Sequence, residues 1–164
     1  MISKKDLIEW LKKADKNLGK HISVVAVGGT AMTLLGLKSS TVDVDLCVNS
    51  EDKKELLRAV GSSFKVDIFT DGYIFSEQLP GDYKDNAKEI LELKNISLKA
   101  LDPADIIITK AARLNARDEE DIESLAKHVN RGILIKRFEQ VAKTYAGNEN
   151  AYRDNFNHIL KRFF

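Results

Sequence analysis

The chain has 164 residues, of which 43% are hydrophobic and 31% charged, a composition typical of a folded globular protein and not of a disordered chain. No apolar run approaches the roughly 20 residues that a helix needs to cross a bilayer, and the charged N-terminus lacks the apolar centre of a signal peptide. A single cysteine, Cys47, excludes an intramolecular disulfide framework. We therefore expect a protein of the reducing cytoplasm with no membrane segment.

The net charge of +1 gives no overall signature of nucleic-acid binding, but the charges are unevenly distributed. Residues 1–42 hold seven Lys/Arg against three Asp/Glu, residues 43–126 eleven against nineteen, and residues 127–164 eight against three. An acidic middle between basic ends favours metal-binding carboxylates beside a surface for phosphates. Ordinary solvated helix faces would give the same pattern, so charge alone leaves both interpretations open.

The first hundred residues alternate between helix and strand patterns. The predicted helices span residues 3–19, 31–36 and 51–60, and the predicted strands span residues 22–27, 42–48 and 64–69. Residues 89–93 and 96–101 predict a hairpin around Lys94-Asn95.

Residues after about 101 predict helices alone. Asp102-Pro103 is a typical helix start, Asp118 is expected to cap the next helix, and Arg131-Gly132 is expected to interrupt it. A third helix is predicted over residues 133–145 and a last one after Gly147. The fold class is therefore α/β (α+β), a small mixed sheet with flanking helices over residues 1–101 and a helical region over 102–164 packed on it.

Three motifs carry the candidate chemistry. Gly28-Gly29-Thr30 separates a strand from a helix, where glycines allow a tight turn and close approach to a phosphate. Asp43-Val44-Asp45 lies in a strand, so its two carboxylates share one face. Asp67 lies in a third strand, although aspartate is disfavoured there. If the last two strands are neighbours, three carboxylates cluster as in two-metal phosphoryl transfer; each motif alone also fits a solvated surface.

In this order and spacing, the motifs resemble those of the polymerase-beta-like nucleotidyltransferase superfamily. The relevant segments are VAVGGTAMTLLGLKSSTVDVDLCV and KVDIFT. The sequence is most similar to the small prokaryotic branch that includes the abortive-infection toxin nucleotidyltransferases. There a basic residue and Ser-Thr precede the two aspartates, as Lys38, Ser40 and Thr41 do here, and a later helix carries a lysine, as Lys110 does.

The resemblance implies a role for each residue. Gly28, Gly29 and Thr30 would hold the triphosphate, with Lys38, Thr41 and Lys110 as further nucleotide-binding residues. The catalytic and metal-binding residues would be Asp43, Asp45 and Asp67, with Mg²⁺ or Mn²⁺ as the metal. Thr30 follows the second glycine, whereas many relatives place a serine directly after the first.

Lys110 can also be assessed without the resemblance. It shares a helical face with Ile107, Ala111 and Leu114, so it either reaches out to water or meets an anion inside the protein. Asp118 and Asp121 fit helix capping, and Arg117 would pair with them or with the substrate.

The predicted function is metal-dependent transfer of a nucleoside monophosphate from a nucleoside triphosphate to a hydroxyl of RNA, tRNA or protein, in a toxin–antitoxin or defence setting. One alternative is a non-catalytic binding or antitoxin-like module with the same fold. Another is a metal-dependent nuclease or phosphatase that uses the same aspartates, although Gly28-Gly29 favours a triphosphate substrate.

Overall fold

The computed structural model describes residues 1–164 and confirms the mixed α/β fold class. Its strands are β1 (Ile2–Ser3), β2 (Ile22–Ala26), β3 (Ser40–Thr41), β4 (Val44–Val48), β5 (Val66–Thr70), β6 (Tyr73–Ile74), β7 (Glu77–Gln78), β8 (Lys88–Glu92) and β9 (Ile96–Ala100). Seven of them form one mixed sheet in the order β7-β6-β5-β4-β2-β9-β8, and β1 pairs with β3 apart from it. The predicted hairpin around Lys94-Asn95 is the antiparallel pair of β8 and β9.

Eight helices surround the sheet. They are α1 (Lys4–Asn17), α2 (Gly28–Leu34), α3 (Lys53–Val60), α4 (Tyr83–Asn86), α5 (Pro103–Ala111), α6 (Ala116–Ala126), α7 (Arg131–Ala142) and α8 (Glu149–Phe163). Helix α1 packs on α3, and α5 lies among α6, α7 and α8 while also contacting α2. None of the helices is both long enough and apolar enough to cross a membrane.

Helix α2 begins three residues earlier than the sequence predicts, so Gly28, Gly29 and Thr30 form its first turn. Two helix starts in the C-terminal region also differ from the prediction. Asn115 caps α6, and Asp118 is its partner in a reciprocal capping box, in which each side chain accepts the backbone N–H of the other residue. Arg131-Gly132 does not interrupt a helix but begins α7, which Asn130 caps. In both places an asparagine precedes the predicted residue, and asparagine is among the strongest capping residues.

The register of the sheet decides where the acidic residues lie. Strand β4 pairs with β5 in parallel, with Asp45 directly opposite Asp67. The same strand pairs with β2 in antiparallel register, and the N–H of Val27 donates to the carbonyl of Asp45. The Gly28-Gly29 turn at the end of β2 is thereby held beside the two aspartate-bearing strands.

A single hydrophobic cluster of 44 buried residues runs through the sheet and the C-terminal helices. Ala26 and Ile106, for example, are both fully buried members, although they belong to the two regions that the sequence predicts. Strand β9 leads directly into α5, where the N–H of Leu101 still donates to the carbonyl of Ala26. The two regions therefore share one core, and the boundary at residue 101 stays a prediction.

Candidate active site

Three carboxylates meet at the start of β4 and β5. Asp43, Asp45 and Asp67 are half-buried, and each offers an oxygen atom within 4.8 Å of the other two. Asp45 and Asp67 are brought together by the parallel register, and Asp43 lies two residues before Asp45 on the same side. The sequence predicts that the three carboxylates cluster if their two strands are neighbours. The strands are neighbours, and the carboxylates do cluster.

Positive charge near this acidic cluster is sparse. The single ion pair is a long one, 3.9 Å from Lys65 Nζ to Asp43 Oδ2, and Lys65 is largely exposed. Burial, together with the negative charges of Asp43 and Asp67, raises the pKa of Asp45 to about 6. Three facing carboxylates with so little compensation form a site that a divalent cation would stabilise.

Gly28 and Gly29 approach the acidic cluster more closely than other residues can. Gly28 has a φ of 55°, and a Cβ placed on it would lie 3.4 Å from Asp45 Oδ2. A Cβ on Gly29 would lie 3.0 Å from Thr41 Oγ1, which is tighter than ordinary contact. The first glycine is required by its left-handed backbone, and the second by the threonine that packs against it.

Two threonine hydroxyl groups fix the backbone of the Asp43–Asp45 segment. Thr30 Oγ1 accepts the N–H of Asp45 at 2.9 Å and donates to the carbonyl of Asp43 at 3.3 Å. Thr41 Oγ1 donates to the same carbonyl at 3.0 Å. Both side chains are buried, so they position the carboxylates from behind. The nucleotide contacts that the sequence predicts for Thr30 and Thr41 stay predictions.

A cavity of about 330 Å³ opens beside Asp45. Gly28, Gly29 and Asp45 line it together with two aromatic residues, Phe69 and Phe75, whose ring centroids are 4.8 Å apart. Its remaining lining residues are Val27, Ile74, Glu77, Thr109, Lys110 and Arg113. The cavity thus combines polar groups beside the carboxylates with flat aromatic side chains.

Lys110 belongs to a network of alternating charges at the edge of this cavity. Its Nζ lies 2.9 Å from Asp121 and 3.4 Å from Asp118, and only 9% of its side chain is exposed. Lys38 binds the other side of Asp121 at 3.0 Å, and Arg113 binds Asp118 at 2.6 Å. Lys110 therefore meets anions inside the protein and does not extend to water. The nucleotide contacts predicted for Lys38 and Lys110 stay predictions.

Several cavity residues were not expected from the sequence. Arg113, and not Arg117, holds Asp118, because Arg117 is exposed and forms no ion pair. Arg113 follows Lys110 by three residues, a spacing that places both on one helical face and that the sequence displays. Phe75 and Glu77 lie in a hairpin too short to give a periodic pattern.

Convergent carboxylates beside a glycine turn, within a mixed sheet, are the arrangement expected of a nucleotidyltransferase. The model of the family described as "Nucleotidyltransferase of unknown function (DUF6036)" matches residues 5–163. The chain belongs to that family. No protein with a curated description matches it in sequence.

Among solved structures, the crystal structure of ANT(2")-Ia in complex with adenylyl-2"-tobramycin is similar in fold, with a TM-score of 0.58. The likeness covers 93% of this chain and 98% of that one, at 11% sequence identity. At this identity the likeness supports the fold. The polymerase-beta-like superfamily is in keeping with it, and membership of the toxin branch stays a prediction.

Proposed function

We propose that this protein transfers a nucleoside monophosphate from a nucleoside triphosphate to a hydroxyl group and releases pyrophosphate. One observation carries the proposal: Asp43, Asp45 and Asp67 converge within 4.8 Å, and Asp45 lines a cavity together with Gly28 and Gly29. Family membership and the fold of ANT(2")-Ia support the same reaction class.

The acidic cluster is suited to a divalent cation. All three donors are carboxylate oxygens, the ligands that Mg²⁺ and Mn²⁺ prefer. The raised pKa of Asp45 indicates a site whose negative charge is under-compensated within the protein itself. Asp43, Asp45 and Asp67 would hold the ion, which supplies charge stabilisation for the phosphates and lowers the pKa of the attacking hydroxyl.

The remaining steps belong to residues of this chain. The Gly28-Gly29 turn leaves room for a triphosphate close to Asp45, because neither glycine carries a side chain. Lys110 and Arg113 place positive charge on the cavity wall near the phosphates. The acceptor oxygen forms a bond to the α-phosphorus while the bond to pyrophosphate breaks, and Asp67 accepts the hydroxyl proton.

The acceptor is less constrained than the nucleotide. The basic C-terminal region favours an anionic acceptor such as RNA, but three of its eight cations already pair with carboxylates of this chain. Arg137, Arg153 and Arg162 each bind a carboxylate of this chain. An RNA, tRNA or protein hydroxyl therefore stays the proposed class of acceptor, and the toxin–antitoxin setting rests on the resemblance alone.

The reaction is tested with each α-labelled triphosphate, Mg²⁺ or Mn²⁺, and either total RNA or cell protein. We expect label transfer by the wild type and loss of at least about a hundredfold in Asp43→Asn and Asp45→Asn, because each removes a charged ligand of the metal. Asp154→Asn changes an exposed aspartate on α8 and serves as the matched control.

The rival functions give different results in the same experiment. A nuclease or phosphatase would release label without attaching it to an acceptor. A non-catalytic or antitoxin-like module would show no transfer by the wild type with any triphosphate and either metal. Equal transfer by the wild type and by Asp45→Asn would also refute the proposed roles of the carboxylates.

A further inference from the structure

The cavity is also lined by a buried acidic side chain, Glu77, that the proposed reaction does not use. Glu77 is 7% exposed, and its Oε2 is shielded from solvent without a hydrogen-bond partner. An unsatisfied buried polar atom destabilises the fold, and a charged one does so more strongly. A donor brought by a ligand would remove that destabilisation.

The hairpin of β6 and β7 aims Glu77 at the cavity. Glu77 pairs with Ile74 across the hairpin, and both side chains point inward, whereas Tyr73 on the alternate face is exposed. Burial raises the pKa of Glu77 to about 7, against the smaller, opposing effects of nearby backbone N–H groups and of the charge of Arg113. The carboxyl group is thus held at the cavity wall without a close cation.

The wall beside Glu77 is flat and aromatic. Phe75 is 75% exposed, yet its ring packs edge-on against Phe69 at a centroid distance of 4.8 Å. Its φ of 56° is a conformation that phenylalanine rarely adopts, so the turn holds the ring at the cavity at a conformational cost. Flat aromatic faces are the usual surface on which nucleobases stack.

We propose that Glu77 is a specificity-determining residue that selects a guanine base stacked against Phe75, an inference that rests on the proposed nucleotide site. Phe69 follows Asp67 by two residues on the same side of β5, and Phe75 packs against Phe69. A nucleotide with its phosphates at the carboxylates therefore directs its base to this aromatic wall, beside Glu77. The base edge that matches a carboxylate carries adjacent N–H donors.

Guanine alone among the common bases offers two adjacent donors, N1–H and the 2-amino group, to the two carboxylate oxygens. Adenine and cytosine set one amino donor beside a ring acceptor, and uracil sets one N–H between two carbonyl oxygens. The terminal torsion of a glutamate is soft, so a small rotation turns either oxygen of Glu77 toward the cavity. A ring acceptor or carbonyl placed there would meet the carboxylate with repulsion.

Calorimetry with non-hydrolysable α,β-methylene triphosphates and Mg²⁺ tests this selection without any catalytic step. We expect the guanosine compound to bind at least about tenfold more tightly than the adenosine, cytidine, uridine and inosine compounds. Inosine is the matched ligand, because it differs from guanosine only in lacking the 2-amino group.

The matched protein variants are Glu77→Gln and, as a control, Glu89→Gln on the exposed face of β8 at the opposite edge of the sheet. Glu77→Gln keeps the shape of the side chain but leaves it only one acceptor oxygen. The variant can therefore no longer accept from both N1–H and the 2-amino group, and the guanosine and inosine compounds should bind it equally well. Glu89→Gln should keep the wild-type ratio.

Two outcomes would overturn the inference and can be told apart. If every triphosphate binds the wild type equally, or if Glu77→Gln keeps the preference for guanosine, base selection by Glu77 is wrong and the proposed function stands. If no triphosphate binds the wild type, the nucleotide site itself is wrong. Circular dichroism melting of Glu77→Gln establishes that it is folded.

Discussion

Asp45 has two carboxylate neighbours, and this arrangement opposes its own ionisation. Its folded-state pKa of about 6 lies above the ordinary value, so the protonated form is favoured on folding. The corresponding stabilisation is present below about pH 4, and it is lost as the pH rises through about 6. At neutral pH, without metal, the acidic cluster therefore lowers the stability of the fold.

Asp45→Asn should therefore stabilise the metal-free protein while it abolishes transfer. In EDTA at pH 8, we expect its free energy of unfolding to exceed that of the wild type by about 1–2 kcal/mol, and the difference to vanish near pH 4. Urea denaturation at the two pH values measures it. Added Mg²⁺ should stabilise the wild type far more than the variant, and an equal response of both proteins would contradict the metal site.

The hairpin of β6 and β7 consists of four strand residues and a two-residue turn, and the turn carries Phe75, one of the two rings of the aromatic wall. Phe75 occupies the first turn position with a positive φ, where hairpins of this kind prefer glycine. Retaining phenylalanine there costs about 1 kcal/mol or more. A contribution of the Phe75 ring to nucleotide binding would account for this conformational cost.

Phe75→Gly should weaken nucleotide binding and leave the stability of the fold nearly unchanged. We expect a free energy of unfolding within about 1 kcal/mol of the wild type, because relief of backbone strain offsets the lost ring contact and the added chain entropy. Nucleotide affinity should fall about tenfold, the value of one stacked base. Tyr73→Gly is the control: it removes another exposed ring of the same hairpin, one outside the cavity, and should leave the affinity unchanged.

Sequence patterns predict β2, β4 and β5 correctly, because each strand has five residues, enough for a β-branched run or an apolar–polar alternation to be visible. The same patterns do not predict β6 or β7, which have two residues each. The sequence does not predict that β4 and β5 are neighbours, since strand order depends on how the helices cover the sheet. The positions of the aspartates were therefore predictable, and their partners across the cavity were not.

Across the whole molecule, one buried arginine links the C-terminal helices to the sheet region. Arg137 on α7 donates two hydrogen bonds to the fully buried Asp105 on α5, at 2.6 and 2.8 Å. It also donates to Asp82, which precedes α4, at 3.0 Å. Nothing in the sequence indicates contacts at separations of 32 and 55 residues, just as nothing indicates that Lys38 meets Asp121.

Removal of this arginine should be costly to the entire fold. Arg137→Ala leaves the carboxylate of Asp105 buried without its cation, and we expect the free energy of unfolding to fall by about 3–5 kcal/mol. Urea denaturation measures the loss. The double variant Arg137→Met/Asp105→Leu should recover most of it, because it leaves no unpaired charge. A loss below about 1 kcal/mol in Arg137→Ala would contradict a shared core.

The β6–β7 hairpin lies at the edge of the sheet, so its sequence can change in evolution without displacing the aspartates. Residues 71–78 connect to the rest of the sheet through β5 alone, at the end of the strand order, whereas the aspartates lie on the interior strands β4 and β5. Insertions or exchanges in those eight residues would remodel the wall of the cavity and leave the carboxylates in place. Related chains can thus acquire new nucleotide preferences through one short segment, while the segment that supplies the chemistry is inherited unaltered.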